Sequence, residues 1–360
     1  MRGNQDEQAG IFYYVNLEER VRSDHPLRRI KHWAEEALKR LDKVFEAMYS
    51  GTGRPSIPPE RLLKSMVLTA LYSIRSDRLF CERLDHDLLF RWFLGMDLEE
   101  ESFDASTFSK NRERLLEHEV SRKFFQSVVS LARSQGLLSD EHFTVDGTLI
   151  EAWASLKSFR PKDQEGDNDG GNDGVDFHGQ KRGNKTHQST TDPEAMLYRK
   201  GNGQEARLCY SGHLLMDNRH GLCVELEVMR ASASEPQVAE KLLDRLLKKK
   251  IKPVSLGAYK GYHCKQLVEY CRTRSIRPHI AQIKGRKTPG LDGRTTRHLS
   301  YKISQKVRKR IEEAFGWTKF IGGLAKTKSR GLSRVHQHAQ WVSTTFNLLR
   351  IANLSPIPTG

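Results

Sequence analysis

The stretch "HFTVDGTLIEAWAS", residues 142–155, is where the chain changes character. Before it the sequence reads as helix after helix, and no strand is needed before residue 140. Within it Phe143 and Val145 alternate with polar neighbours, the period-two signature of a strand. An acid, Asp146, sits inside this mostly apolar run. A lone carboxylate in such a strand is costly unless something compensates it, and a metal ion is one such partner. The competing reading is a turn aspartate before Gly147, since Asp-Gly pairs are common in turns.

Upstream, "PLRRIKHWAEEALKRLDKVFEAMYS" (26–50) places Leu27, Ile30, Trp33, Ala34, Leu38, Leu41, Phe45 and Met48 at helical spacing. "PSIPPERLLKSMVLTALYSI" (55–74) opens a second helix behind its prolines, and a third, 76–96, closes at Gly95. Asp104 is placed to cap a fourth. Residues 1–135 therefore read as an all-helical N-terminal domain suited to DNA binding or dimerisation.

Downstream, a polar tract at about 157–200 carries six acids between Asp163 and Asp176 among glycines and asparagines. It cannot bury a core and reads as a flexible insertion. "RLCYSGHLLMDNRHGLCVELEVMRA" (207–231) is a hairpin turned at "DNRHG". A helix beginning after Ser234 follows, then the strand of "VSLGAYKGYHCKQ" (254–266), a helix from Lys265 to about Arg274, and the short strand "PHIAQI" (278–283). One long helix, "SYKISQKVRKRIEEAFGWTKFI" (300–321), and a closing amphipathic helix (333–354) complete the chain. Residues 136–360 thus form a mixed α/β sheet flanked by helices.

The formal net charge is +15 over 360 residues. Between Lys284 and Arg334 fifteen Lys and Arg face only Asp292, Glu312 and Glu313, so most of the excess lies in one segment. That concentration favours a polyanion, nucleic acid first, over a small-molecule substrate. Arg294, Arg297, Lys302, Arg308, Lys319, Lys326, Lys328 and Arg330 are the candidate phosphate contacts. The five cysteines are widely spaced with no C-x-x-C pair, and no signal or membrane-spanning segment is evident. A soluble protein of a reducing cytoplasm is expected.

Arg308, Glu312 and Lys319 share one face of the long helix. Glu312 can be a surface ion-pair member, or a carboxylate aimed at the sheet with bases beside it to hold phosphate. Phe315 and Trp317 read as core. Asp192, in "TTDPEA", reads as a helix cap, and His213 as a satisfied polar position near the sheet. One acid on the first strand and one on a late helix, in a basic α/β domain, is an arrangement seen in ribonuclease-H-like nucleases, where magnesium suits an all-carboxylate site.

Six stretches, among them "FTVDGTLIEAWAS", "LGAYKGYHCKQLVEYCR", "PHIAQ" and the run from Asp292 to Gly331, resemble bacterial insertion-sequence DDE transposases of the insertion-sequence-five family. The N-terminal helices, from "PSIPPERL" through "DASTFSKNRERL", resemble that family's N-terminal domain. The resemblance implies a ribonuclease-H-like catalytic domain and Mg²⁺- or Mn²⁺-dependent cleavage and strand transfer. It implies as partners the terminal inverted repeats of an element and target DNA, bound as a homodimer, in the bacterial nucleoid. Asp146 matches the first catalytic Asp and Glu312 the catalytic Glu, the two expected metal ligands. The signature Y-x2-R-x3-E-x6-K stands as Gln305, Arg308, Glu312 and Lys319, altered at its first position.

The middle acid departs from the pattern. Relatives read "GADKGYD" where this chain reads "GAYKGYH", so Tyr259 occupies the second catalytic position and His263 replaces a later Asp. No Asp or Glu lies between Ile251 and Val268, and Glu269 falls inside the next helix. Impaired catalysis is the expectation. The alternative is a catalytically inactive DNA-binding regulator of transposition.

Overall fold

The computed structural model describes residues 14–49, 52, 56–162, 183–199, 201, 203–283 and 285–355. The acid-rich heart of the polar tract, 163–182, lies outside the described residues.

Among the described residues eight helices precede the first strand: α1 (Leu17–Arg20), α2 (Pro26–Lys39), α3 (Asp42–Glu46), α4 (Pro59–Leu71), α5 (Asp77–His86), α6 (Leu88–Leu94), α7 (Ala105–Glu117) and α8 (Val120–Ser134). Their boundaries follow local chemistry. Proline occupies the first turn of α2 and α4, where its missing N–H costs nothing. Ser76 and Asp87 cap α5 and α6 through side-chain oxygens, and Gly95 ends α6 in the left-handed region at φ 71°. Asp104 accepts from the Ser106 hydroxyl at 2.6 Å and Thr107 N at 2.9 Å. Those bonds hold its carboxyl down at about 2. Leu27, Ile30, Trp33, Leu62, Phe80, Phe90 and Phe124 build the core of this module.

The second half is organised on β1 (His142–Glu151). Two short strands, β2 (Phe159–Pro161) and β3 (His187–Ser189), pair with each other, and β4 (Met196–Tyr198) joins the main sheet. The ends of the polar tract are therefore folded. β5 (Arg207–Asp217) and β6 (Leu222–Arg230) form the expected hairpin. Helix α9 (Glu235–Lys248), strand β7 (Ser255–Ala258), helix α10 (Lys265–Thr273) and strand β8 (Arg277–Ile280) complete the sheet. β1 is antiparallel to β5 and parallel to β7, and β8 continues the parallel side, giving the order β6-β5-β1-β7-β8. A central first strand, an antiparallel hairpin on one side and two parallel crossovers on the other is the ribonuclease-H-like arrangement.

The long helix expected at 300–321 is two helices. After α11 (Gly293–Thr296), α12 (Leu299–Val307) and α13 (Arg310–Phe320) meet at a joint at Arg308 and Lys309. There the bonds tighten to i→i−3, Ile311 N to Arg308 O and Glu312 N to Lys309 O. The break has a physical reason. α12 is pinned to the sheet edge, with Tyr301 Oη donating to Ile280 O at 3.0 Å and Gln305 Nε2 to His279 O at 2.5 Å. α13 instead packs on β1, so one straight rod cannot serve both.

α14 (Leu332–Leu354) runs through both cores. Val335, Ala339 and Val342 pack with the sheet, whereas Trp341, Leu348 and Ile351 complete the core of the N-terminal helices. Asn347 brackets the backbone of Cys223 on β6, accepting at 2.9 Å and donating at 2.7 Å. Phe315 is buried in the sheet core, and Trp317 packs beside it, 5.7 Å from the Phe346 ring. Among the described residues no helix is long and apolar enough to cross a membrane.

Candidate active site

Register places the site. Val145 on β1 stands opposite Ala258, the last residue of β7. Asp146 is therefore the first residue of β1 beyond the end of its parallel neighbour, and Tyr259 is the first residue after that neighbour stops. A crevice at the carboxyl end of parallel strands is the standard location for a functional group in such sheets. Asp146 Oδ1 accepts from Gly147 N at 2.8 Å and the residue is half-buried.

Tyr259 is 41% exposed and opens the 3₁₀ turn Lys260–Tyr262. Two cations lie against its ring: Arg308 Cζ at 5.7 Å from the centroid and Lys260 Nζ at 5.6 Å. Cation–π contacts of this kind contribute about 0.5–1 kcal/mol at exposed sites. Arg308 also donates from Nε to Gln305 Oε1 at 3.0 Å. The joint between α12 and α13 thus brings the signature arginine to the tyrosine. Glu312 follows one turn later on α13, exposed, its carboxylate in no hydrogen bond or ion pair among the described residues.

Another acid, not singled out in the sequence, stands at this end of the sheet. Glu235, the first residue of α9, reaches Gly261: its Oε2 lies 2.2 Å from where a Cβ on that glycine would stand. Burial, and then repulsion from Asp146, raise its carboxyl above the ordinary glutamate range. Beneath lies Tyr262, fully buried, whose hydroxyl meets His213 Nδ1 at 3.1 Å. Burial drives the Tyr262 phenol far up, and the Asp146 and Glu235 carboxylates push the same way. The signal was available in the acid opening "SEPQV", but nothing local says that this helix begins at the same end of the sheet as Asp146.

Other candidates have structural work. His263 is buried and its Nδ1 accepts from Ile283 N at 3.0 Å, tying the loop after β8. Glu269 lies exposed on α10, 3.5 Å from Lys265, and does not replace the missing acid. Asp192 is buried and, contrary to expectation, caps no helix of its own, since a turn and β4 follow it: Oδ1 accepts from Tyr210 Oη at 2.6 Å and, across the fold, from Gly331 N at 3.3 Å, just before α14. His213 is buried with Nδ1 partnered and Nε2 without a partner among the described residues, so it is only half satisfied there. Among the described residues no three His, Cys, Asp or Glu side chains stand together as a metal-holding group.

Apart from Arg308, the basic candidates divide into two places. Arg294 pairs with Asp292 at 2.8 Å at the start of α11, with Arg297 and Lys302 exposed nearby in sequence. Lys319, Lys326 and Lys328 line a cleft of about 290 Å³ between the N-terminal helices and the sheet domain, with exposed Trp153 and Phe320. Lys326 pairs with Glu151 at 2.8 Å, and Lys328 Nζ lies 5.8 Å from the Trp153 ring centroid. Arg330 is exposed beyond them.

The buried histidines make stability pH-dependent. Burial pulls His213, His279 and His338 down to about 4, with His142 adding to the effect at His279 and Arg112 at His338. The unfolded chain titrates near the ordinary histidine value of about 6.5, so it binds protons first as pH falls. Each group's contribution is complete above pH 6.5 and declines toward pH 4, by about 1.4 kcal/mol per unit of depression. Denaturant midpoints measured from pH 7.5 to 5, above the ordinary carboxylate range, should fall steadily; a flat profile would contradict this account.

Two family models match the chain. The Transposase DDE domain family matches residues 139–348, and a Transposase domain (DUF772) matches residues 15–114. The chain belongs to the DDE-domain transposases. Solved structures with some likeness include a piggyBac transposase synaptic complex with hairpin DNA, at 10% identity and TM-score 0.40, covering 94% of this chain and 75% of that one. A Mos1 transposase paired-end complex with left transposon end is 12% identical at TM-score 0.20, covering 80% and 84%. The fold of this transposase rests on its strand order rather than on those overlaps.

Proposed function

We propose that this transposase is of the insertion-sequence-five type, that it binds the terminal inverted repeats of its element as a homodimer, and that Tyr259 impairs its cleavage and strand transfer. The observation carrying this reading is the register of β1 and β7, which sets Asp146 and Tyr259 side by side with Arg308 against the phenol. The aligned position is the one the resemblance assigns to the second catalytic Asp.

The candidate donors, Asp146 and Glu235 at the strand ends and Glu312 on α13, are hard carboxylate oxygens, the chemistry that suits magnesium or manganese. A divalent ion bound there would supply charge neutralisation at the phosphodiester and a more acidic water. Asp146 holds one corner, fixed by its strand and by Gly147 N. Glu312 lies exposed on α13, its side chain unpaired among the described residues. Tyr259 offers one hydroxyl oxygen on a bulky ring where a carboxylate would offer two oxygens. Arg308 rests on that ring, and an Asp at position 259 would offer it a carboxylate instead. The exposed bases hold the strand backbone, and such contacts make binding weaken as salt rises.

The test compares native protein and Tyr259→Asp on an element-end duplex with Mg²⁺ or Mn²⁺. Both should bind the duplex, and Tyr259→Asp should nick it about 100-fold faster or more, the scale of losing one preorganised charged group. Equal rates would remove the impairment, and failure of either protein to prefer the element ends would overturn the reading. A native protein that binds the ends with no detectable nicking would be the regulator.

A further inference from the structure

We propose that Glu235 is the surrogate for the acid missing at Tyr259, so that a divalent ion in the native protein is held by Asp146 and Glu235 from two different elements. This rests on the reading just given and goes beyond it, because it names which residue sustains whatever catalysis the native chain retains.

The first observation is steric. The Glu235 carboxylate and the Tyr259 ring converge on Gly261: Oε2 stands 2.2 Å, and Tyr259 Cδ1 3.7 Å, from the point a Cβ there would occupy. Any larger residue at 261 would displace the carboxylate, so the turn leaves this acid its place. Asp146 is the other charge at the same end of the sheet.

The second is pairing. The buried acids on β6 have nearby bases, Glu227 with Lys241 and Arg245 at 2.6 Å and Glu225 with Lys249. Glu235, although half-buried in a strongly basic chain, makes no hydrogen bond or ion pair through its carboxylate among the described residues, and the turn it touches follows directly on the end of β7, beside Asp146. Two carboxylates sharing a half-buried corner repel, and a cation relieves that repulsion. The floor under them is polar and fully buried, Tyr262 on His213, and among the described residues His213 Nε2 has no partner. The bland account is a favourable acid in a helix first turn. It predicts no effect on metal affinity.

The experiment measures Mn²⁺ binding by electron paramagnetic resonance or calorimetry, with nicking of the element-end duplex alongside, for native protein, Glu235→Gln, Tyr259→Asp and the double variant. In the native background Glu235→Gln should weaken Mn²⁺ affinity about tenfold or more, as expected for losing one ligand charge, and should remove residual nicking while the melting temperature holds. In the Tyr259→Asp background the same change should cost less than about threefold, because the strand carboxylate has taken over. Native-like Mn²⁺ affinity and nicking in Glu235→Gln would overturn the proposal. If Tyr259→Asp binds Mn²⁺ and nicks but native protein does neither, this inference falls and the impaired-transposase reading stands. If neither protein binds Mn²⁺ or nicks, both fall.

Discussion

Glu312→Gln, made in the Tyr259→Asp background, should lower nicking of an element-end duplex by about two orders of magnitude or more, with affinity for that duplex unchanged or slightly raised. The side chain is exposed on α13 and unpaired among the described residues, so its charge contributes little to the fold. The change also removes one negative charge from the surface of a strongly basic segment, which is why binding of a polyanion should not suffer. Single-turnover nicking and a salt-titrated binding isotherm on the same preparation separate the two effects. A variant that loses binding, or that melts early, would place Glu312 in the fold instead of the chemistry.

Leu348→Ala should destabilise the whole chain by about 2–5 kcal/mol, the cost of a buried leucine cavity. Leu348 is fully buried, and it belongs to the C-terminal helix while packing in the core of the N-terminal module. The same helix packs Val335 and Val342 against the sheet and binds β6 through Asn347. The two halves therefore share a structural element, and the loss should appear in one cooperative transition followed by both tryptophan fluorescence and far-ultraviolet circular dichroism. Two separated transitions, with only the first moved, would show the halves to be independent.

Much of this was legible in sequence because it depends on local pattern. Phe143 and Val145 announce a strand by alternation, "DNRHG" announces a hairpin, and the spacing of Leu27, Ile30, Trp33 and Leu38 announces α2. The tyrosine at 259 was visible as an anomaly because the motif around it is contiguous. Long-range features were not legible. The division of the long helix at Arg308 arises because α12 is held by carbonyls at the end of β8 while α13 lies on β1. Helical periodicity runs through such a joint without marking it. The caps on α14 come from the folded end of a tract that composition alone assigns to flexibility, since Asp192 and Glu194 accept from Gly331 N and Leu332 N. Glu235 escaped for the same reason: it is 24 residues before Tyr259 in the chain, and only the crossover from β6 through α9 returns it to the strand ends.

The most direct test of the site is anomalous diffraction at the manganese edge from Mn²⁺-soaked crystals of Tyr259→Asp. The account predicts a manganese peak within about 2.0–2.5 Å of an Asp146 carboxylate oxygen, touching the side chain introduced at position 259. A variant that nicks DNA with manganese bound elsewhere, and none at Asp146, would contradict it.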